Sequence, residues 1–446
     1  MSTDEVKVVC DRLVAFDFMD NHPQSAKKYA IWILSHMDIF WRGRLVNAFL
    51  DNLMMPKPIS KPRECVKTLR VLHEITTYCT KVDVRRLVMT TDIMVHMRDI
   101  LSTHNVQLII VRSCLNLLSN LILCGWRIRD AFGESGLLYE ILKLMHQRKT
   151  MESKHKPILG QVLWILYHYL MYKIPGPPVN DLKKIAYTLA SILSYRKDAD
   201  VLVTLLKISR LVSEYHSAMF SVMIQTELFE RVTRFLISPL PEIQREALFV
   251  VANTCQMHRK QKNVKLFRFP RCILNPLHIL ILGSTANIRI LALHTLGGII
   301  DHRCIRPHQM LSMVKKIMFC TSHKESEPAV RLAASWALVS LAMHLESQYF
   351  PRFIKMGGLN AICELLHQNP PVQLMRNLLS VILLILESYR HLKTSLKIII
   401  RDSKIRSILK ELQASRNASI RTMAILLDDR FMHQLCWVDV LVHMGL

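Results

Sequence analysis

Along most of this 446-residue chain the apolar residues recur at intervals of three and four. In Val111-Arg-Ser-Cys-Leu-Asn-Leu-Leu-Ser-Asn-Leu121 they form one wide stripe, the pattern of an amphipathic helix that a neighbouring element must cover. Breaks fall where backbone chemistry requires them: Gly125 follows a helix ending near Leu123, Pro175 to Pro178 follow Tyr172, and Pro239 and Pro241 separate two apolar runs. The Pro-Gly-Pro-Pro segment cannot be helical and is expected to connect two helices.

The helices repeat as a unit. A small or polar residue opens an apolar helix, a charged break follows, and a second apolar helix closes the unit; clear copies span residues 106–145, 158–193, 198–237, 241–282, 286–319 and 328–366. One equivalent position in each copy is Arg70, Asn116, Trp164, Lys207, Phe249, His294 and Trp336, at spacings of 46, 48, 43, 42, 45 and 42 residues. These spacings match the roughly 40 to 47 residues of HEAT and armadillo units and exceed ankyrin or tetratricopeptide periods. The expected fold is therefore an all-α solenoid of armadillo-type repeats over residues 25–430, with a short segment at 1–24 and a C-terminal segment at 431–446.

Composition narrows this further. With 12 Gly and 17 Pro there is little turn chemistry for many short strands or phosphate-cradling loops. The 11 Cys contain no C-x-x-C pair, and reduced, buried thiols inside the cell are the expectation. Apolar stretches such as residues 380–386 end in charge well short of the about 18 positions a membrane span needs, so no membrane is expected as a partner.

Lys and Arg outnumber Asp and Glu by 59 to 35, an excess that attracts acidic proteins or nucleic acid. Residues 1–60 carry seven basic and seven acidic side chains, so the whole excess lies downstream. The run from Arg259 to Arg271 holds six basic residues and two Phe, which suits phosphate contact and stacking as well as it suits a solvated loop. Cys304 with His308, and Cys320 with His323, have the residue types of a zinc site on either side of a helix; no metal or other cofactor is expected from so loose a pattern. No Walker, H-E-x-x-H, G-x-S-x-G or G-x-G-x-x-G motif is present, and a binding protein without catalysis is the expectation.

Several repeat phrases resemble the importin-alpha family. Trp164-Ile-Leu-Tyr-His168 followed by Lys173-Ile-Pro-Gly-Pro-Pro178 is similar to that family's third repeat, where a Trp-x-x-x-Asn helix precedes Lys-Asn-Pro-x-Pro-Pro. Asp198-Ala-Asp-Val-Leu202, Ile128-Arg-Asp130, Glu246-Ala247 with Asn253, Asn287-Ile288 and Ala334-Ser-Trp-Ala-Leu338 resemble other repeats in the same order. The resemblance covers about residues 25–390. It implies a right-handed superhelix whose concave face holds an extended Lys- and Arg-rich nuclear-localisation peptide, and hence an import adaptor of cytoplasm and nucleus with protein cargo as its partner.

In that family Trp platforms slot the aliphatic stems of Lys, and an Asn one turn later bonds the peptide backbone. Here the paired positions are Arg70 and Glu74, Asn116 and Asn120, Trp164 and His168, Lys207 and Leu211, Phe249 and Asn253, His294 and Gly298, and Trp336 and Ser340. The resemblance thus nominates Trp164, Trp336 and Phe249 as platforms and Asn120 and Asn253 as backbone clamps, with Asn116 a further candidate standing where the family has a Trp; ordinary core packing is the alternative for the two Trp, and a satisfied buried amide for Asn120 and Asn253. Arg70 and Lys207 would repel a basic peptide. Residues 1–60 lack the family's basic leader, so binding of importin-beta through such a leader is not expected. A scaffold for an acidic protein partner is the alternative, and nucleic-acid binding a further one resting on charge and one loop.

Overall fold

The computed structural model describes Val46 and residues 62–146, 156–215, 218–260, 273–302, 305–322, 325, 327–388 and 404–443. Among the described residues there are helices and no strands. The basic run and the two Cys/His pairs fall largely outside them: residues 261–272, Cys304 and His323 are not described, and neither is the segment 1–45.

The chain forms two compact units, residues 1–231 and 232–446. In the first, the helices are α1 (Pro62–Tyr78), α2 (Lys81–Thr90), α3 (Ile93–Ser102), α4 (Leu108–Ile122), α5 (Trp126–Glu134), α6 (Leu137–His146), α7 (Lys156–Met171), α8 (Val179–Leu193), α9 (Ala199–Ser213) and α10 (Ala218–Gln225). α11 (Leu228–Thr233) spans the boundary. The second unit holds a 3₁₀ turn (Arg234–Ile237), α12 (Pro241–Lys260), α13 (Leu274–Gly283), α14 (Ala286–Asp301), α15 (Pro307–Thr321) and α16 (Pro328–Met343). A second 3₁₀ turn (Ser347–Tyr349), α17 (Phe350–Lys355), α18 (Gly358–His367), α19 (Val372–Glu387), α20 (Ile405–Gln413) and α21 (Ala418–His443) follow.

Repeats stack like on like. The structural repeats are offset by one helix from the units read in the sequence, so that the helix opening a sequence unit closes a structural repeat. In the first unit this closing helix packs on the next, α1 on α4, α4 on α7 and α7 on α9, while α3, α6, α8 and α10 form a second such layer. The second unit does the same with α12, α14, α16, α19 and α21 in one layer and α13, α15, α18 and α20 in the other. Among the described residues some repeats have three helices, such as α5, α6 and α7, and others two, such as α8 and α9. This is the armadillo-type solenoid unit that the 42-to-48-residue spacing predicts.

The stripe read in the sequence makes this stacking favourable. α4 buries Ile110, Cys114, Leu115, Leu117, Leu118, Leu121 and Ile122, and each such large aliphatic side chain contributes roughly 1.5–3 kcal/mol relative to exposure. Val111 and Asn116, which interrupt the stripe, stay half-buried at its edge. Gly125 has φ of 123°, a conformation closed to other residues without strain, and it turns the chain from α4 into α5. Thr80 caps α2 by accepting a hydrogen bond from Asp83 N at 3.2 Å.

Candidate functional site: the solvent-facing ridge of the closing helices

Each closing helix carries one solvent-facing ridge, spaced at three and four residues between its buried positions. On α1 it is Arg63, Lys67, Arg70, Glu74 and Thr77; on α4 it is Arg112, Asn116, Ser119 and Asn120; on α7 it is Gly160, Gln161, Trp164 and His168. The ridges are in parallel register. Asn120 Nδ2 donates to Thr77 Oγ1 at 2.7 Å and to His73 O at 3.3 Å on α1, and Gln161 Nε2 of α7 donates to Asn116 Oδ1 of α4. The equivalent positions marked in the sequence therefore sit side by side on adjacent helices of the first unit.

Trp164 is the most open of the nominated residues, with 38% of its surface exposed. Its indole stacks on His168 one turn later, with centroids 4.0 Å apart, and Gly160 one turn earlier leaves open space where a side chain would stand. Burial holds the His168 imidazole below its ordinary value, which favours a neutral ring beneath the indole. Trp164 thus presents an accessible aromatic face to solvent rather than packing wholly in the core. His168 was legible in the sequence only as a lost Asn; its stacking is a product of the i to i+4 spacing.

The amides are placed differently from the platform. Asn120 has its donors directed at the preceding repeat, and Asn116 accepts from the following one, so both tie repeats together. Lys207 is half-buried on α9, and Leu211 one turn later is buried, so the fourth repeat offers no polar clamp.

In the second unit Phe249, Asn253 and Trp336 are half-buried and His294 is exposed. Phe249 and Asn253 both have partners within the protein. Ser340, one turn after Trp336, donates to Asp301 on α14, and the His344 ring lies 3.6 Å from the same carboxylate. Between His294 and Asp301 the ridge of α14 is bare, because Gly297 and Gly298 border open space.

Sequence reasoning quoted Arg129 only within the Ile128-Arg-Asp130 phrase and missed that it fixes the end of α7. Arg129 on α5 is completely buried; its guanidinium donates to Tyr172 O at 2.8 Å, Pro175 O at 2.7 Å and Gly176 O at 3.2 Å, and pairs with Asp130 at 2.7 Å. It thereby satisfies carbonyls of the Pro-rich connection that no helix can satisfy. Behind it Tyr169 OH donates to Asp181 Oδ2 at 2.8 Å, and burial pushes the phenol well above its ordinary range. Gly133 is needed there: a Cβ would lie 2.8 Å from Asp181 Oδ2 and 3.1 Å from Tyr169 OH.

Among the described residues no group of three or more His, Cys, Asp or Glu converges as a metal site, and no single helix is long and apolar enough to cross a membrane. The buried Cys65 thiol is pushed up to about 11, and Cys114 beside Met97 higher still, so neither is an activated nucleophile.

No family model matches the chain, and no curated protein matches it. Solved structures do. One similar structure is the crystal structure of an engineered protein, with a TM-score of 0.59 and 14% identity over 97% of this chain and 99% of that one. Another is that of computationally designed armadillo repeat proteins for modular peptide recognition, with a TM-score of 0.44 and 12% identity over 57% of this chain and 99% of that one. The first likeness supports the all-α repeat fold.

Proposed function

We propose that the chain is an importin-alpha-type adaptor that binds an extended segment of a protein cargo along the solvent-facing ridge of its closing helices, the side that forms the concave groove in the resembled family. The observation that carries this reading is Trp164, an exposed indole stacked on His168 at the position where the resembled family keeps its platform. An indole open on one face slots an aliphatic stem and attracts the cation at its end. Trp336, half-buried at the equivalent place in the second unit, is the second platform, and Phe249, half-buried two equivalent positions earlier, is the third. The action is binding alone, without catalysis, and its setting is the cytoplasm and nucleus.

The segment recognised differs from a simple run of Lys and Arg. Asn116 and Asn120 are engaged between repeats, and Arg70 stands exposed beside them, so the first repeats offer neither the amides nor the neutrality that a basic peptide needs. Cargo choice is correspondingly restricted. The test is the affinity of the purified chain for an extended localisation-type peptide with one central Lys and otherwise uncharged positions, beside Trp164→Ala and Trp336→Ala. A loss of about tenfold in either variant supports the platform reading; affinity unchanged in both removes it.

A further inference from the structure

The ridge of the first two closing helices carries charge that the proposed function leaves unexplained. Arg63 and Arg70 on α1 and Arg112 on α4 are exposed, and among the described residues none of the three forms an ion pair. Lys67 lies between Arg63 and Arg70 on the same ridge, one turn from each. Because α1 and α4 run in parallel register, Arg112 stands alongside the Lys67 to Arg70 stretch, a helix width away. Both helix N-termini lie at this end, adding the positive ends of two backbone dipoles. Leu108 and Ile109, at the first turn of α4, are exposed beside the cations at 41% and 48%.

We infer that this surface docks an acidic protein segment, rich in Asp and Glu with interspersed aliphatic side chains. Three unpaired guanidiniums match carboxylates bidentately, and the exposed Leu108 and Ile109 supply apolar contact that a purely ionic ligand would not use. Single-stranded nucleic acid fits less well, because the ridge from Arg63 to Arg70 and from Leu108 to Arg112 contains no aromatic ring for a base to stack on. The inference rests on the proposed reading in using the same helix face; it adds that the cargo or a second partner presents acid to the first repeats, next to the Trp164 platform.

The experiment uses the whole chain and fluorescence anisotropy with three labelled probes: an Asp/Glu/Leu peptide, its Lys/Arg/Leu counterpart, and a single-stranded oligonucleotide of similar charge. The variant Arg63→Glu with Arg70→Glu and Arg112→Glu is compared with Arg352→Glu, Lys355→Glu and Lys410→Glu, an equal charge change at exposed cations of the second unit. Circular dichroism checks that both retain helix. The acidic peptide is expected to bind, to weaken about tenfold or more in the first variant and less than about twofold in the second, and to weaken with added salt. Equal losses in both variants would assign binding to bulk charge and overturn the inference. Tighter binding of the oligonucleotide through the same three arginines would overturn it in favour of nucleic acid. If the acidic peptide fails to bind while a localisation peptide still depends on Trp164, this inference falls and the adaptor reading stands.

Discussion

Asn120 reaches across from α4 to donate a 2.7 Å hydrogen bond to Thr77 Oγ1 on α1, 43 residues earlier. An amide that sequence position nominates for a ligand is thus directed at the neighbouring repeat. Replacing Asn120 with Ala should lower stability by about 1–2 kcal/mol through loss of that bond and the weaker one to His73 O. The affinity for a localisation peptide should hardly move, in contrast to Trp164→Ala. Chemical denaturation and peptide titration of the same variant check both halves.

Arg129 should be among the least replaceable residues of the first unit. Arg129→Met strands the Tyr172, Pro175 and Gly176 carbonyls and leaves Asp130 without its partner, a loss of about 3–5 kcal/mol. Arg129→Lys keeps the charge but lacks the planar fork, so it should rescue little. Urea unfolding of the two variants beside the parent measures the difference.

Gly133→Ala should separate Tyr169 from Asp181, since its Cβ would stand 2.8 Å from the carboxylate and 3.1 Å from the hydroxyl. The expected cost is about 1–3 kcal/mol. Combined with Tyr169→Phe, the two changes should be less than additive, because they damage one hydrogen bond. A double-mutant cycle by thermal unfolding decides it.

Acid should loosen the second unit through Glu325. Arg289 on α14 grips this carboxylate with both terminal nitrogens, Nη1 at 3.1 Å from Oε1, and that hydrogen bonding holds the carboxyl below its ordinary 4.5. The folded state therefore takes up the proton less readily than the unfolded chain. Its contribution to stability is complete above the ordinary carboxylate value and is lost as pH falls through the depressed one. Glu325→Gln should have a lower unfolding midpoint than the parent at neutral pH and a shallower decline towards about pH 3. Parallel declines would remove Glu325 from the account.

Much of the architecture was legible because it rests on local patterns. The stripe from Val111 to Leu121 became the buried face of α4, and the Pro-Gly-Pro-Pro segment became the connection between α7 and α8. The repeat period alone puts Arg70, Asn116 and Trp164 at equivalent places on adjacent helices, as the bonds from Asn120 to Thr77 and from Gln161 to Asn116 show. What the pattern could not carry was the direction of a side chain at a half-buried edge. Asn116, Asn120 and Trp164 share one kind of position, yet the amides turn to neighbouring repeats while the indole stays open, a choice made by Gln161, Thr77 and the bare Gly160. Arg129 was visible only as part of the Ile128-Arg-Asp130 phrase, and its role was illegible for a different reason: its acceptors are main-chain carbonyls 43 to 47 residues away.

The central claim is that a protein segment lies on the closing-helix face, and site-specific photo-crosslinking tests it most directly. A photoreactive residue is placed in turn at Arg70, Asn116, Lys207 and His294, and at the exposed Tyr139, Tyr187, Ile279 and Phe319 of the other helix layer. In cell lysate the first set should capture a shared group of proteins, competed away by an excess of unmodified chain, while the second set captures none of them. Capture of the same proteins from Tyr139, Tyr187, Ile279 and Phe319, and not from the first set, would contradict the claim and move the binding surface to the opposite layer.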